Sequence, residues 1–130
     1  GEERQLAQNI AISNLGTDAI LYYARSPVVS EKAREALGKV AAMQQQLSQT
    51  NAELQKNVQQ VAEITQDQKR IRDNMGALDR TQQIYQRYVK TLTEQEDKLA
   101  TIQQRITELR DEEAKQRKAL DEYLLSLDLS

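Results

Sequence analysis

Few side chains in this sequence are able to do covalent or acid–base chemistry. It holds no Cys and no His. That removes thiol chemistry, disulfides, the commonest metal ligand and the commonest general base. Ser30 and Ser48 therefore have no imidazole to activate them. Asp111, Glu112 and Glu113 are adjacent carboxylates. Such groups serve acid–base catalysis when burial drives their pKa values apart, but no cleft-forming pattern surrounds them. Asp67, Asp73 and Asp79 do not have the spacing of a calcium loop, and no Gly-rich phosphate loop is present. The expectation is a non-enzyme with no cofactor, no metal and no small-molecule substrate.

Charge is the one asymmetric feature. Lys69, Arg70, Arg72, Arg80, Arg87 and Lys90 outnumber Asp67, Asp73 and Asp79, six against three. Farther along, Glu108, Asp111, Glu112, Glu113, Asp121, Glu122 and Asp128 outnumber Arg110, Lys115, Arg117 and Lys118, seven against four. The basic cluster is a candidate contact surface for phosphates, anionic lipid or an acidic protein. The plainer reading of the same residues is a set of solvated helix faces. A net charge of −2 argues against a dedicated nucleic-acid binder.

The elements that position these charges are helices. Ala, Leu, Gln, Glu, Lys and Arg dominate, and aromatics are 4% with no Phe or Trp, which leaves little to fill a globular core. The only break between two long helical runs is Asp73–Arg80. Gly76 there suits a helix end with positive φ, and Asp79 with Gln82 suits a capping box. The prediction is an all-α, antiparallel two-helix coiled-coil hairpin. Its arms are at about 31–75 and 80–126 and its tip is 76–79, and the first arm is roughly 65–70 Å long.

The seams support this. Leu37, Val40, Gln44, Leu47, Asn51, Leu54, Val58, Val61 and Thr65 alternate steps of three and four. So do Tyr88, Leu92, Gln95, Leu99, Ile102, Ile106, Leu109, Glu113, Gln116, Leu120, Tyr123 and Leu127. A fold in which facing numbers total 153 pairs Val61 with Leu92, Leu54 with Leu99 and Leu47 with Ile106. It also sets Asn51 on Ile102, Gln95 on Val58 and Thr65 on Tyr88. From Val61 the pattern steps to Ile64, Gln68, Ile71, Met75 and Leu78, which reads as a stammer. Ile64, Ile71, Ile84 and Val89 then lie off the seam, and covering them calls for self-association or a protein partner.

Residues 1–29 form an N-terminal segment and 30–130 the hairpin. Residues 2–15 fit either a helix or a strand. Thr17 or Asp18 is expected to cap a short helix over about 17–25, packed at the open end against Ala33, Leu37, Leu120, Tyr123, Leu124 and Leu127. Ser26-Pro27 turns the chain, and Ser30 is the expected N-cap of the first arm. Gly38 either admits the short helix closely or is a tolerated surface glycine. Glu94–Lys98, Asp111–Lys115 and Glu113–Arg117 are i,i+4 pairs in the favourable order. The longest apolar run, Ala19 to Ala24, is far short of the ~20 residues that span a bilayer. Gly1 in place of Met reads as the scar of a removed tag, so the chain is expected to be a piece of a longer one. No signal peptide is present in the sequence itself.

Several runs resemble a known family. They are Ile12-Ser13-Asn14-Leu15, Ala19-Ile20-Leu21-Tyr22-Tyr23 and Pro27-Val28-Val29-Ser30, then Asp67-Gln68-Lys69-Arg70-Ile71-Arg72-Asp73-Asn74, Tyr88-Val89-Lys90 and Gln95-Glu96. Together they resemble the bacterial mucoidy-inhibitor-A-like proteins, whose role is not established. The resemblance implies the coiled-coil part of a larger envelope or secreted chain, hence an extracytoplasmic location, and it implies no catalytic residue. The expected function is a coiled-coil protein-interaction or spacer module. The alternative is a nucleic-acid-binding arm that uses the basic tip, similar in shape to the helical hairpin of seryl-tRNA synthetases.

Overall fold

The computed structural model describes residues 15–127. Three helices follow one another: α1 over Thr17–Ala24, α2 over Glu31–Met75 and α3 over Gln83–Ser126. No strand occurs among the described residues, and α2 and α3 pack against each other as the arms of a hairpin. The helix-or-strand question for residues 2–15 lies outside the described residues except for Leu15. The chain divides into two units, one of residues up to Asn51 together with Glu112 onward, the other of Ala52–Asp111.

In the first unit α1 covers an apolar cluster. Ile20, fully buried, and Ala24 lie among Ala36, Leu37, Val40, Ala41, Leu120, Leu124 and Leu127. Alanine recurs in this cluster, and its short side chain lets a third helix come close to two others. The N-cap of α1 is Gly16 in extended conformation, with no side-chain cap. This corrects the expectation of Thr17 or Asp18. The Thr17 hydroxyl is engaged elsewhere, donating to Gln44 Oε1 at 3.3 Å, while Gln44 Nε2 donates to the Leu15 carbonyl at 3.2 Å. Gln44 thus faces the N-terminal segment. Ser30 caps α2 as expected, its Oγ accepting the Ala33 N–H at 3.1 Å. Gly38 has open space where a Cβ would sit, so it admits no close neighbour. Lys39 Nζ lies 4.5 Å from the centre of the Tyr123 ring, a cation–π contact.

The α3 seam is as predicted: every position from Tyr88 to Leu127 in that series is buried or half-buried. The α2 seam differs. Asn51, Val58 and Thr65 are exposed. Besides Leu37, Gly38, Ala41, Gln44, Gln60 and Asp67, the covered positions form one series: Ala33, Ala36, Val40, Met43, Leu47, Thr50, Leu54, Asn57, Val61, Ile64, Gln68, Ile71 and Met75. These alternate steps of three and four without interruption, so α2 has no stammer. Ile64 and Ile71 belong to the seam, and Ile71 is almost fully buried. The polar members are tolerated because each is hydrogen-bonded. Thr50 Oγ1 donates to the Gln46 carbonyl at 3.1 Å, and Asn57 Nδ2 to the Glu53 carbonyl at 2.8 Å. Gln68 Nε2 donates across to Glu96 at 2.9 Å.

The pairing register is corrected too. Asn51 Nδ2 donates to Glu113 Oε2 at 3.0 Å, Gln95 Nε2 to Asp67 Oδ2 at 2.6 Å, and Asn74 Nδ2 to Tyr88 Oη at 3.4 Å. Arg105 forks onto both oxygens of Glu53 at 2.9 and 3.1 Å. These pairs total between 158 and 164 rather than 153. The cause is the loop, which runs from residue 76 to 82 because α3 begins at Gln83 rather than near Arg80.

Candidate functional site

The tip is built by four short backbone turns, the last closed by the Gln82 N–H on the Asp79 carbonyl at 3.0 Å, and by one Asx turn. Past Met75 the chain tightens. The N–H of Gly76 reaches the Arg72 carbonyl at 3.1 Å, that of Ala77 the Asn74 carbonyl at 3.3 Å, and that of Leu78 the Met75 carbonyl at 3.0 Å. No described glycine has positive φ, so Gly76 does not end α2 in the left-handed region. A Cβ built on it meets the Asp73 carbonyl oxygen at 3.4 Å, an ordinary contact. Gly76→Ala is therefore expected to stabilise the hairpin by about 0.4–1 kcal/mol, through lost freedom of the unfolded chain. Urea melts check this, and a left-handed glycine would give the opposite sign.

Asp79 does half of what the capping box requires. Its backbone N–H donates to Gln82 Oε1 at 3.0 Å. Its own carboxylate accepts the Thr81 N–H and Thr81 hydroxyl, both at 3.0 Å. The result is a closed turn ahead of α3 rather than the first turn of the helix.

Six cations surround this loop, and the structure sorts them. Arg70 is paired with Asp67 at 2.9 Å. Arg72 lies 3.9 Å from Glu96, both well exposed, a contact of little energy. The side chains of Lys69, Arg80, Arg87 and Lys90 are exposed and form no ion pair among the described residues. Four free positive charges therefore remain at the tip. No acidic residue stands in the first turn of α3, so the positive end of that helix dipole adds to them.

Beside them is a concavity of about 390 Å³ lined by Arg72, Met75, Gly76, Leu78, Arg80, Tyr85 and Leu92. Met75, Leu78, Tyr85 and Leu92 are half-buried and make the apolar part of its floor, beside the exposed guanidinium groups of Arg72 and Arg80, and the surface of the hollow as a whole is more polar than apolar. Reading the charges alone misses this floor. The signal was present, because the α2 seam continues through Met75 to Leu78 into the loop.

Two carboxylates here are held below their ordinary value of 3.8, Asp67 chiefly by the Arg70 hydrogen bond and then by Gln95, Asp79 by the Thr81 backbone N–H and then its hydroxyl. A folded-state pKa below the unfolded one contributes stability that is full above about pH 4–5 and is lost as pH falls through the folded values. Helicity around the tip is therefore expected to be flat from pH 5 to 8 and to decline below about pH 4. Hydrogen exchange of the 64–90 amides checks this, and Asp67→Asn with Asp79→Asn should remove most of the decline.

The remaining chemical candidates are dispersed. Asp111 and Glu112 are exposed, Glu113 accepts from Asn51, and Ser30 is a helix cap. No group of three or more metal-ligating side chains occurs among the described residues. None of the helices is long and apolar enough to cross a membrane. Comparison with family models, curated proteins and solved structures returned no match.

Proposed function

We propose that this chain is a non-enzymatic coiled-coil module of a bacterial envelope or secreted protein, and that it binds a protein partner through the hairpin tip. The observation that carries the reading is the open concavity in which Met75, Leu78, Tyr85 and Leu92 lie beside the guanidinium groups of Arg72 and Arg80. A solvated helix end needs no half-buried aliphatic and aromatic side chains beside its cations. A protein contact does, because an apolar anchor supplies affinity while surrounding charge steers approach. The resemblance to mucoidy-inhibitor-A-like proteins supports the extracytoplasmic setting.

The test is a photo-crosslinking amino acid placed at Arg87 or at Gln103, both exposed on α3. Adducts to protein at 87 and few at 103 are expected in cells expressing the parent chain. Equal or absent adducts at the two positions would sink the reading. A second reading, the nucleic-acid arm, is favoured by the four free cations. It requires binding to tRNA or DNA that falls steeply with salt and is lost in Arg80→Glu with Arg87→Glu.

A further inference from the structure

We infer that the partner of the tip is the end of α3 in a second copy of this chain, with Leu125 of one copy seated in the tip concavity of the other. This rests on the reading above and names its occupant. The last turns of α3 carry Asp121, Glu122 and Leu125, spaced i, i+1 and i+4, so that all three share one exposed face. Leu125 is 65% exposed although its neighbours Leu124 and Leu127 are buried. It is an unburied anchor in an acidic frame. The tip is the converse, a hollow in which the side chains of Met75, Leu78, Tyr85 and Leu92 lie beside the guanidinium groups of Arg72 and Arg80.

Helix ends reinforce the match. α3 has no acidic residue in its first turn and no basic residue in its last, so neither end of its dipole is neutralised within the element. One end is positive and lies at the tip. The other is negative and lies beside Leu125. On that face Lys118 lies 4.0 Å from Glu122, both largely exposed and so weakly coupled. Asp121 makes no ion pair among the described residues. The contact joins two different surfaces, so it either closes when two copies exchange it reciprocally or propagates along a chain of copies.

Charge exchange tests this on the full chain, by sedimentation velocity and light scattering over a range of concentrations. The wild type should self-associate at low salt and less at high salt. Arg80→Glu and Glu122→Arg should each weaken association by about tenfold or more, because each sets like charges together. Leu125→Ala should weaken it without changing the salt dependence. Mixing Arg80→Glu with Glu122→Arg should restore association, since each altered surface then meets an opposite charge. If Arg80→Glu disturbs the loop, Arg87→Glu on the helix surface takes its place. A wild type that stays monomeric at every concentration overturns the inference, as do unaffected single variants or an unrestored mixture. Crosslinks from Arg87 to a different protein, with no self-association, would leave the tip reading standing and remove this one.

Discussion

Shortening Ile20 to alanine is expected to cost about 2–5 kcal/mol, the range for emptying a fully buried aliphatic site. The side chain has no exposed surface and packs among Ala36, Leu37, Val40, Leu120 and Leu124. Ala24, Ala36 and Ala41 in the same cluster have no side chain long enough to swing into the hole, so part of the cavity should persist. α1 has eight residues and no side-chain cap, too short to be helical on its own merits. The Gln44 hydrogen bonds tie its N-terminal end, and the Arg34 guanidinium donates to the Ser26 carbonyl just past its C-terminal end. The consequence should be local. Limited proteolysis is expected to cut first between residues 20 and 30, while helicity at 222 nm falls by little more than the share of α1. Loss of the whole helical signal at the same urea concentration would mean that the arms depend on α1, contrary to this expectation.

The second large effect has the opposite sign. Gln95 and Gln116 occupy α3 seam positions, and the Oε1 atom of each is buried with no hydrogen-bond partner. A buried acceptor left unpaired costs about 1–3 kcal/mol. Replacing both with Leu removes two such groups and adds apolar surface to the seam. The double variant is expected to gain about 2 kcal/mol or more, seen as a higher urea midpoint at unchanged slope. Each change also removes an amide donor bond, Gln95 Nε2 to Asp67 and Gln116 Nε2 to Glu112, and the gain should be smaller at 95, where the bond is the shorter and the less exposed. Polar seam residues often fix register at a cost in stability. The stabilised variant should therefore be examined for a change in solution mass. A fall in stability would mean that the two amides are worth more than their unpaired oxygens.

The α3 arm was legible from sequence because its apolar residues keep the seam in one phase, from Leu92 through Leu99, Ile102, Ile106 and Leu109 to Leu120. The α2 arm was legible as a helix but not in phase. Val58 is apolar and drew the seam onto 51, 58 and 65, whereas the covered residues are Thr50, Asn57 and Ile64. Polar side chains that bond their own helix backbone can sit on a seam, and periodicity alone does not identify them. Reading backwards from Ile64, Ile71 and Met75 would have found the phase. The register failed for a related reason. Asp79 and Gln82 have the residue types of a helix start, but they close a turn, and three more loop residues shift every facing pair. The cationic cluster was visible as composition. Which of its members are free was not, since that depends on Asp67 lying one turn from Arg70 and on Glu96 lying across from Arg72.

The tyrosines give the molecule two built-in optical reporters. There is no Trp, and all five tyrosines are described: Tyr22, Tyr23 and Tyr123 in one unit, Tyr85 and Tyr88 in the other. None lies between residues 24 and 84 or between 89 and 122. Phenol emission from the native chain is therefore a sum of the signals of the two units. Replacing Tyr85 and Tyr88 with Phe would silence the tip, and what remains would follow the α1 cluster alone. Comparing that trace with the parent's in the same denaturant series would show whether the two units melt together or in sequence, without attaching any dye.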